Sequence, residues 1–269
     1  MNIAVLFQGM ATVAWFAVVG IVIFAVVRAS RNRPLPRSGV WIMAMLIIAI
    51  VFSTVSAGIV YVTPQERGVV LSVVSPGGVR SEALQPGLNW IIPFAESVVR
   101  YPVYKQTYTM SIAGAEGSIQ GDDSIAARTA DGQEIYVDAS VIYSINPTEV
   151  VKVHIAWQDR YTDDLVRAQA RGIIRDAVSQ YGVEEVVSSK RFDLVTQIRE
   201  VMAKKLADNG LVMDDFVLRN IAFSSDYAAS VEQKQIAEQQ SQQAKFVVEQ
   251  KRQEADQARE VAKGAADAS

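Results

Sequence analysis

The stretch IAVLFQGMATVAWFAVVGIVIFAVV, from Ile3 to Val27, carries no charged residue, and neither does the run from Ser38 to Gln65. Each run exceeds the roughly 20 helical residues that cross a hydrocarbon core about 30 Å thick. The sequence therefore predicts a transmembrane hairpin followed by a body that is tethered at a bilayer surface. A cleaved signal peptide is the alternative for the first run, although that run exceeds the usual apolar core of roughly 7–15 residues. Buried core helices are the alternative for both runs.

A short basic connector separates the two runs and predicts their orientation. Two prolines prevent it from continuing as a helix, and it contains four arginines: Arg28, Arg31, Arg33 and Arg37. Positive charge in short loops stays on the cytoplasmic side of a membrane. We therefore expect the connector to face the cytoplasm and the body to lie on the extracytoplasmic side.

The composition limits the remaining possibilities. The 269 residues leave room for the hairpin, about one domain and a tail. A net charge of −3 opposes nucleic acid as a main partner, because phosphate binding needs a basic surface. Since the chain has no cysteine, it has neither a disulfide framework nor a cysteine-based metal site.

Beyond the hairpin, the pattern changes to short apolar stretches separated by turn residues. Residues 67–74 predict a strand that ends at a Ser-Pro-Gly-Gly turn. Apolar and polar residues alternate towards Ile145, which predicts a half-buried strand, and Asp131-Gly132 predicts a type I′ hairpin turn before it. Residues 114–124 are small and polar and predict a loop.

Two helices and a returning strand complete the body. Thr162 is a candidate N-cap for the first helix, and Ser188 or Ser189 for the second, which should end at Asn209-Gly210. Residues 211–223 then predict an extended segment. Strands followed by helices and a further strand indicate an α+β domain.

The last segment, residues 226–269, lacks proline and predicts a long helix with a heptad seam. The seam positions are mostly small: Ala237, Ser241, Ala244, Val248, Ala255, Ala258, Ala262 and Ala265. Small side chains bury little apolar area, so such a helix alone should be marginally stable. We expect copies of the helix to flank it on both sides, and a solvated single helix is the alternative.

Candidate catalytic groups are few. His154 is the only histidine, with valine and isoleucine beside it, and an ordinary structural role is expected. The acidic pairs, such as Asp122-Asp123, are expected to be helix caps or solvated surface. Arg167, Arg171 and Arg175 are spaced for one helix face, which we expect to be solvated, with a contact between subunits as the second interpretation. These residues give no indication of an enzyme, a cofactor or a metal site.

Several motifs together resemble the SPFH (stomatin/prohibitin/flotillin, band 7) family, in particular its prohibitin-like members. They occupy residues 63–70, 86–88, 92–94, 106–108, 129–133, 146–147, 171–182, 218–224, 234–239 and 244–249. The resemblance covers the chain from about residue 61 to about residue 258. Two features differ from the usual pattern of this family: this chain has two apolar runs where many relatives have one, and it ends early after its long helix.

The resemblance implies a non-enzymatic scaffold that associates laterally into a ring or cage on a membrane. The subunits would be copies of this chain or a homologous subunit, and an enclosed membrane protein such as an AAA+ protease would be regulated. It also implies an apolar loop that contacts the lipid: Leu88, Trp90, Ile91, Ile92 and Phe94. The alternative for this loop is a turn in the core of the domain.

These expectations give a complete hypothesis for the chain. Residues 1–37 would form the first transmembrane helix and the cytoplasmic loop, 38–62 the second transmembrane helix, 63–225 the SPFH domain and 226–269 the coiled-coil helix. Because no Arg-rich amphipathic presequence precedes the first run, a bacterial plasma membrane is favoured. The weak seam and the early end motivate a second hypothesis, a small membrane-tethered binding or adaptor module that acts as a monomer or dimer.

Overall fold

The computed structural model describes residues 3–31 and 38–267. Its N-terminal part consists of two antiparallel apolar helices, α1 (Ile3–Ser30) and α2 (Ser38–Gly58). The stretches Leu6–Arg28 and Gly39–Gly58 have the length and composition to cross a membrane. Only 11% and 6% of the residues in their most apolar windows are buried within the protein. This exposure opposes the alternative of soluble core helices, which would be mostly buried.

The four strands after α2 form two antiparallel pairs. They are β1 (Ile59–Val62) with β3 (Gly87–Trp90), and β2 (Glu66–Ser72) with β4 (Glu96–Pro102). β1 begins at the residue after the end of α2, so no linker separates this part of the body from the membrane helix. The two pairs enclose a small apolar core of Val62, Val70, Leu84 and Ile91.

A second sheet forms the larger half of the body around one long strand. Its strands are β5 (Gln106–Met110), β6 (Ile125–Arg128), β7 (Glu134–Ile145) and β8 (Leu211–Phe223). β5 and β6 share one edge of β7, and β8 pairs with the other edge. Six alternating apolar positions of β7 are buried, as expected: Ile135, Val137, Ala139, Val141, Tyr143 and Ile145. Asp138 and Ser140 between them are buried as well, so the middle of the strand is covered on both faces and is not half-buried.

Four helices lie between β7 and β8, and their apolar faces complete the main core. They are α3 (Val150–Ala156), α4 (Ala168–Val178), α5 (Val183–Val187) and α6 (Arg191–Ala207). Residues of α4 and α6 such as Ile174, Leu194 and Ile198 are fully buried against the sheet. The long helix α7 (Ser225–Asp267) follows β8. The expected fold class is therefore confirmed: an α+β body with an apolar hairpin before it and a long helix after it.

Three local predictions were wrong. The β6–β7 connection is a loop of residues 129–133, closed by a hydrogen bond from the Thr129 N–H to the Gln133 oxygen (2.9 Å). In this loop only Gly132 has a positive φ, whereas a type I′ turn needs two residues with positive φ. Thr162 lies inside a π-helical segment, and its hydroxyl contacts the Tyr143 hydroxyl at 2.8 Å instead of capping a helix. Ser188 donates a hydrogen bond to Glu184 in α5, and α6 begins later, at Arg191.

Candidate membrane-facing site

The end of α2 contacts the end of β3 through a hydrogen bond and a packed side chain. The Ile91 N–H donates a hydrogen bond to the Gly58 oxygen (2.8 Å). The Trp90 ring lies so close to Gly58 that a Cβ at this position would be 2.7 Å from a ring carbon. Only glycine fits there without a shift of the indole ring. Trp90 is therefore fixed where the apolar span ends.

Strand directions bring two turns to the same edge of the body. β4 leads away from this edge, beginning at Glu96, and the antiparallel β2 runs towards it and ends at Ser72. Residues 73–78 and 91–95 are consequently neighbouring turns. The Val73 N–H donates to the Ala95 oxygen (3.1 Å) and links them.

These two turns and β3 present a group of exposed apolar side chains, which we call the membrane-facing edge. Phe94 is 89% exposed and Val73 is 86% exposed. The full group is Val73, Val74, Leu88, Trp90, Ile92 and Phe94. An apolar group of this kind next to polar surface is typical of a site that contacts a membrane or another protein.

The membrane-facing edge differs from the sequence-based prediction at three positions. Ile91 is only 5% exposed, because its side chain points into the small core beside Val62 and Leu84. Val73 and Val74 were missed, since they were assigned to the end of a strand that in fact ends at Ser72. Two valines directly before a Ser-Pro-Gly-Gly turn were the signal that could have identified them.

Glu96 holds the two turns together. Its side chain is 1% exposed. Its carboxylate accepts hydrogen bonds from the Ile92 N–H (2.7 Å) and from two nitrogens of Arg80, with Nε at 2.9 Å from Oε1. Burial alone would raise the pKa of Glu96, but the hydrogen bonds from Arg80 and Ile92 and the charge of Arg80 outweigh it and lower this pKa below its ordinary value.

Phe94 has an unusual backbone conformation within the second turn. Its φ is 65°, a left-handed value that costs free energy for a residue other than glycine. Hydrogen bonds from the Ala95 and Glu96 N–H groups to the Ile92 oxygen close this turn around it. The strained conformation holds the most exposed aromatic ring of the edge away from the body.

The arginines expected to set the topology lie at the other end of α1. Arg28 is exposed, and its guanidinium lies 5.4 Å from the centre of the Phe24 ring. Arg31 follows the end of the helix. Arg33 and Arg37 lie outside the described residues.

The expected helix seam lies on the exposed helix α7. The side chains of Ala237, Ser241, Ala244, Val248 and Ala255 are all exposed, and Ala258, Ala262 and Ala265 belong to the same helix. Phe246 is 76% exposed but lies about 160° around the helix from Val248, at 100° per residue. The described part of α7 therefore has apolar side chains on two faces, which the heptad analysis did not find.

Three arginines, Arg167 at the end of the π-helical segment and Arg171 and Arg175 on α4, do not form the solvated face that we expected. Arg167 and Arg171 both bind the carboxylate of Asp123, which is only 4% exposed, and Arg175 donates to the Ala126 oxygen (3.0 Å). They fasten α4 to β6 and to the loop before it. The expectation of solvated surface for Asp123 was also wrong, because the acidic pair separates into one exposed and one buried residue.

Two of the tyrosine hydrogen bonds link separate elements of the body. Tyr108 donates a hydrogen bond to Asp123 (3.1 Å), and its burial, together with the charge of that carboxylate, raises the pKa of Tyr108 to about 12. Tyr101 and His154 form a 2.6 Å hydrogen bond between the hydroxyl and Nδ1, which joins β4 to α3. Within the described residues, no group of three or more acidic or histidine side chains is arranged to hold a metal ion.

These features define an α+β protein with two N-terminal apolar helices that indicate membrane anchoring, and with an apolar surface beside the end of the second helix. Residues 60–262 match the SPFH domain / Band 7 family, and the chain belongs to that family. Members of the family are membrane scaffolds and are non-enzymatic.

Curated relatives of the chain include prohibitins, of which it is a distant homologue. It is 24% identical to Prohibitin-2 of Colletotrichum higginsianum over 66% of this chain and 52% of that protein. It is 23% identical to Prohibitin-1 of Schizosaccharomyces pombe over 77% of this chain and 68% of that protein. For Prohibitin-2 of Mus musculus the identity is 25%, over 71% and 60% of the two chains. The chain thus spans about half to two thirds of the length of these relatives.

Proposed function

We propose that this protein is a scaffold that associates laterally on a membrane into a ring or cage. Copies of this chain, or of a homologous subunit, form the assembly. It organises the membrane patch inside and regulates an enclosed membrane protein such as an AAA+ protease. The observation that carries the proposal is the membrane-facing edge, which lies directly at the end of α2, because it gives the body a second attachment to the bilayer.

The proposed lipid contact is made by the exposed members of the edge. Phe94 and Val73 are the most exposed side chains of the edge, and Trp90 lies beside the end of the span. Tryptophan side chains are enriched at the boundary between lipid and water. Ile91 supports the contact from behind, within the small core.

Fluorescent labelling tests this contact, because the chain has no cysteine and a single introduced one is unique. Phe94→Cys and Val73→Cys, labelled with a polarity-sensitive dye in liposomes, should show blue-shifted emission and protection from an aqueous quencher. Phe192→Cys is the matched control, since Phe192 is 80% exposed but lies outside the edge. Equal quenching at Phe94 and Phe192 would contradict the contact.

The proposed lateral association uses α7. Its seam of small residues lets neighbouring helices approach closely, and Phe246 on the opposite face provides a contact for a second neighbour. Each helix buries too little area alone, so the association depends on many copies. This part of the proposal concerns residues 226–269, and the preceding SPFH domain is assigned to residues 63–225.

Native mass tests the association. Full-length protein, extracted gently in detergent and imaged as particles, should form an assembly of many subunits with a ring or vault outline. Ala244→Glu places a charge in the seam and should reduce the particle size. Gln243→Glu adds the same charge about 120° around the helix from Ala237 and about 60° from Phe246, outside both proposed contact faces, and should have no effect. A wild-type monomer or dimer across mild detergents would refute the cage.

The second candidate function is a membrane-tethered binding or adaptor module that acts as a monomer or dimer. The observation that favours it is the mostly alanine seam of α7, which supplies little apolar area for association. In this case the described side chains of the seam stay solvated. The same mass measurement separates the two candidates, because only the scaffold requires many subunits.

The proposed location is a bacterial plasma membrane crossed twice, with the body on the extracytoplasmic side. Residues 1–37 supply the first span and the basic connector, and residues 38–62 supply the second span. The arginines of the connector support this orientation, because positively charged loops tend to stay on the cytoplasmic side. A protease added outside intact cells should cut the body, whereas the same protease added to inverted vesicles should not. Cleavage only in inverted vesicles would reverse the orientation.

A further inference from the structure

A groove runs along one side of the contact between α1 and α2. The two helices bury Ala11, Val18 and Ala49. Beside this contact the groove has a volume of about 630 Å³, within the range of roughly 300–1,000 Å³ that is typical of sites for small ligands. It lies at the end of the hairpin that joins the body, because Ile59 of β1 is part of its lining.

The body end of the groove carries two polar side chains, Gln8 and Ser56, beside the apolar Ala57 and Ile59. The other end is apolar, with Phe16 and Val19 further into the membrane span. Between them, the Trp15 indole N–H donates a hydrogen bond to the Ser53 hydroxyl (2.9 Å). Among the described residues, the side chains of Gln8 and Ser56 have no hydrogen-bond partner, and none of the lining residues is charged.

The polar end lies at the boundary of the hydrocarbon core. α2 runs through the core and ends at Gly58, two residues beyond Ser56, so the Ser56 hydroxyl lies roughly 3 Å inside that end. Gln8 is seven residues before Trp15 on the antiparallel helix, or roughly 10 Å nearer to the body, and Ser56 is three residues, or roughly 4.5 Å, beyond Ser53, so Gln8 lies roughly 6 Å nearer to the body than Ser56. The ester groups of membrane lipids lie at this depth, and they are hydrogen-bond acceptors.

We propose that this groove binds one diacyl lipid. The side-chain amide of Gln8 and the hydroxyl of Ser56 donate hydrogen bonds to its ester carbonyls. One acyl chain follows the apolar lining past Phe16 and Val19. Because no charged residue lines the groove, the site selects the diacylglycerol part of the lipid and not its headgroup.

The dimensions favour a lipid over a helix from a second copy. An α-helix is about 10 Å across, so 630 Å³ would contain roughly 8 Å of its length, or about one and a half turns. A helix that crosses the membrane would contact a longer groove. An apolar helix would also offer no hydrogen-bond acceptor to Gln8 and Ser56.

Lipid retention tests the proposal. The full-length protein is purified in a mild detergent and washed with excess detergent, and its bound lipid is measured by extraction and mass spectrometry. Wild type should retain about one diacyl lipid per chain. Gln8→Leu/Ser56→Ala should retain about tenfold less, since two neutral hydrogen bonds are lost. Thr54→Val is the matched control, because this hydroxyl bonds to the Ile50 oxygen on the same helix and does not line the groove.

The proposal is overturned if wild type retains no lipid, or if the double variant retains as much lipid as wild type. A further comparison supplies the lipid from liposomes of phosphatidylethanolamine or of phosphatidylglycerol. Retention that depends strongly on the headgroup would also overturn the proposal. If the double variant does not fold, Ser56→Ala alone should still reduce retention about threefold, because one of the two hydrogen bonds is lost.

Disulfide cross-linking tests the alternative occupant of the groove, a helix of a second copy of the chain. Thr12→Cys introduces the only cysteine of the chain within the groove. Efficient cross-linking between chains in the membrane would assign the groove to a second copy and refute the lipid. Absence of cross-linking together with lipid retention supports it. The proposal does not depend on the scaffold, since a monomeric protein that retains its lipid would leave it intact.

Discussion

Glu96→Ala should release the two turns of the membrane-facing edge while the rest of the body stays folded. Glu96 receives hydrogen bonds from Arg80, which follows the first turn, and from the Ile92 N–H within the second. Alanine removes all of these acceptors and leaves the Arg80 charge unpaired. The larger sheet around β7 has its own core and does not depend on this carboxylate.

The cost of this substitution follows from the geometry. A hydrogen bond to a charged group contributes about 1.5–3 kcal/mol. The bonds to Glu96 are not additive, and the Arg80 side chain is 32% exposed, so water replaces part of what it loses. We therefore expect a net cost of about 2–3 kcal/mol for local opening. Since about 1.4 kcal/mol is a factor of ten, the open population should rise about 30- to 150-fold.

Hydrogen–deuterium exchange of the full-length protein in detergent measures this opening. Peptides that cover residues 91–96 should exchange faster by the expected factor, whereas peptides from residues 134–145 should not change. Glu82→Ala is the control, because it removes an exposed carboxylate from the neighbouring loop. The reasoning is refuted if residues 91–96 exchange within about twofold of wild type, or if both regions accelerate equally.

The pH dependence of hydrogen–deuterium exchange at residues 91–96 provides a second test. The pKa of Glu96 is lowered in the folded protein, so its contribution to stability is present above the unfolded pKa of about 4.3 and is lost as the pH falls below it. Local opening at residues 91–96 should therefore increase below about pH 4 in wild type, after correction for intrinsic exchange. Glu96→Gln should lose this dependence.

Three further predictions concern the body and its joint with the membrane helices. Asp123→Ala leaves two arginines without their buried partner and should cost about 3 kcal/mol. The midpoint of thermal unfolding should therefore fall by roughly 6–12 °C. Asp176→Ala, at an exposed site on the same helix as Arg171, should leave this midpoint unchanged, and equal midpoints for the two variants would contradict the assignment. Gly58→Ala should destabilise by about 1–3 kcal/mol and shift tryptophan emission, whereas Gly39→Ala, with no atom within 4 Å of the added Cβ, should do neither. In an absorbance titration, Tyr108→Phe should remove a phenol that ionises near pH 12. The raised pKa of Tyr108 also contributes to the free energy of unfolding; this contribution is present below about pH 10 and is lost between about pH 10 and 12.

Much of the fold could be predicted because it depends on patterns within single elements. The charge-free runs before the body, the alternation in β7 and the glycine that ends α6 each follow from neighbouring residues along the chain. Gly210 has a φ of 83°, the left-handed conformation that its place after a helix requires. Burial of one face repeats with the period of the element, so the sequence records it directly.

The missed features depend on contacts between distant parts of the chain. Nothing near Asp123 in the sequence indicates that two arginines more than forty residues later will surround it. The spacing of those arginines predicted one helix face correctly, but not what that face would contact. In the same way, Val73 and Phe94 become neighbours only because β2 and β4 pair in an antiparallel register.

In the proposed scaffold, the direct connection between α2 and β1 has a consequence for association. Because Ile59 follows Gly58 without a linker and Trp90 packs on that glycine, the body cannot rotate freely about the end of the span. Contact of Phe94 and Val73 with lipid would add a second point of attachment and fix the tilt of the body. Subunits held in one orientation lose less rotational freedom when they associate. A seam as weak as that of α7 can then suffice for lateral assembly, because the membrane attachments have already restricted the motions that association would otherwise have to restrict.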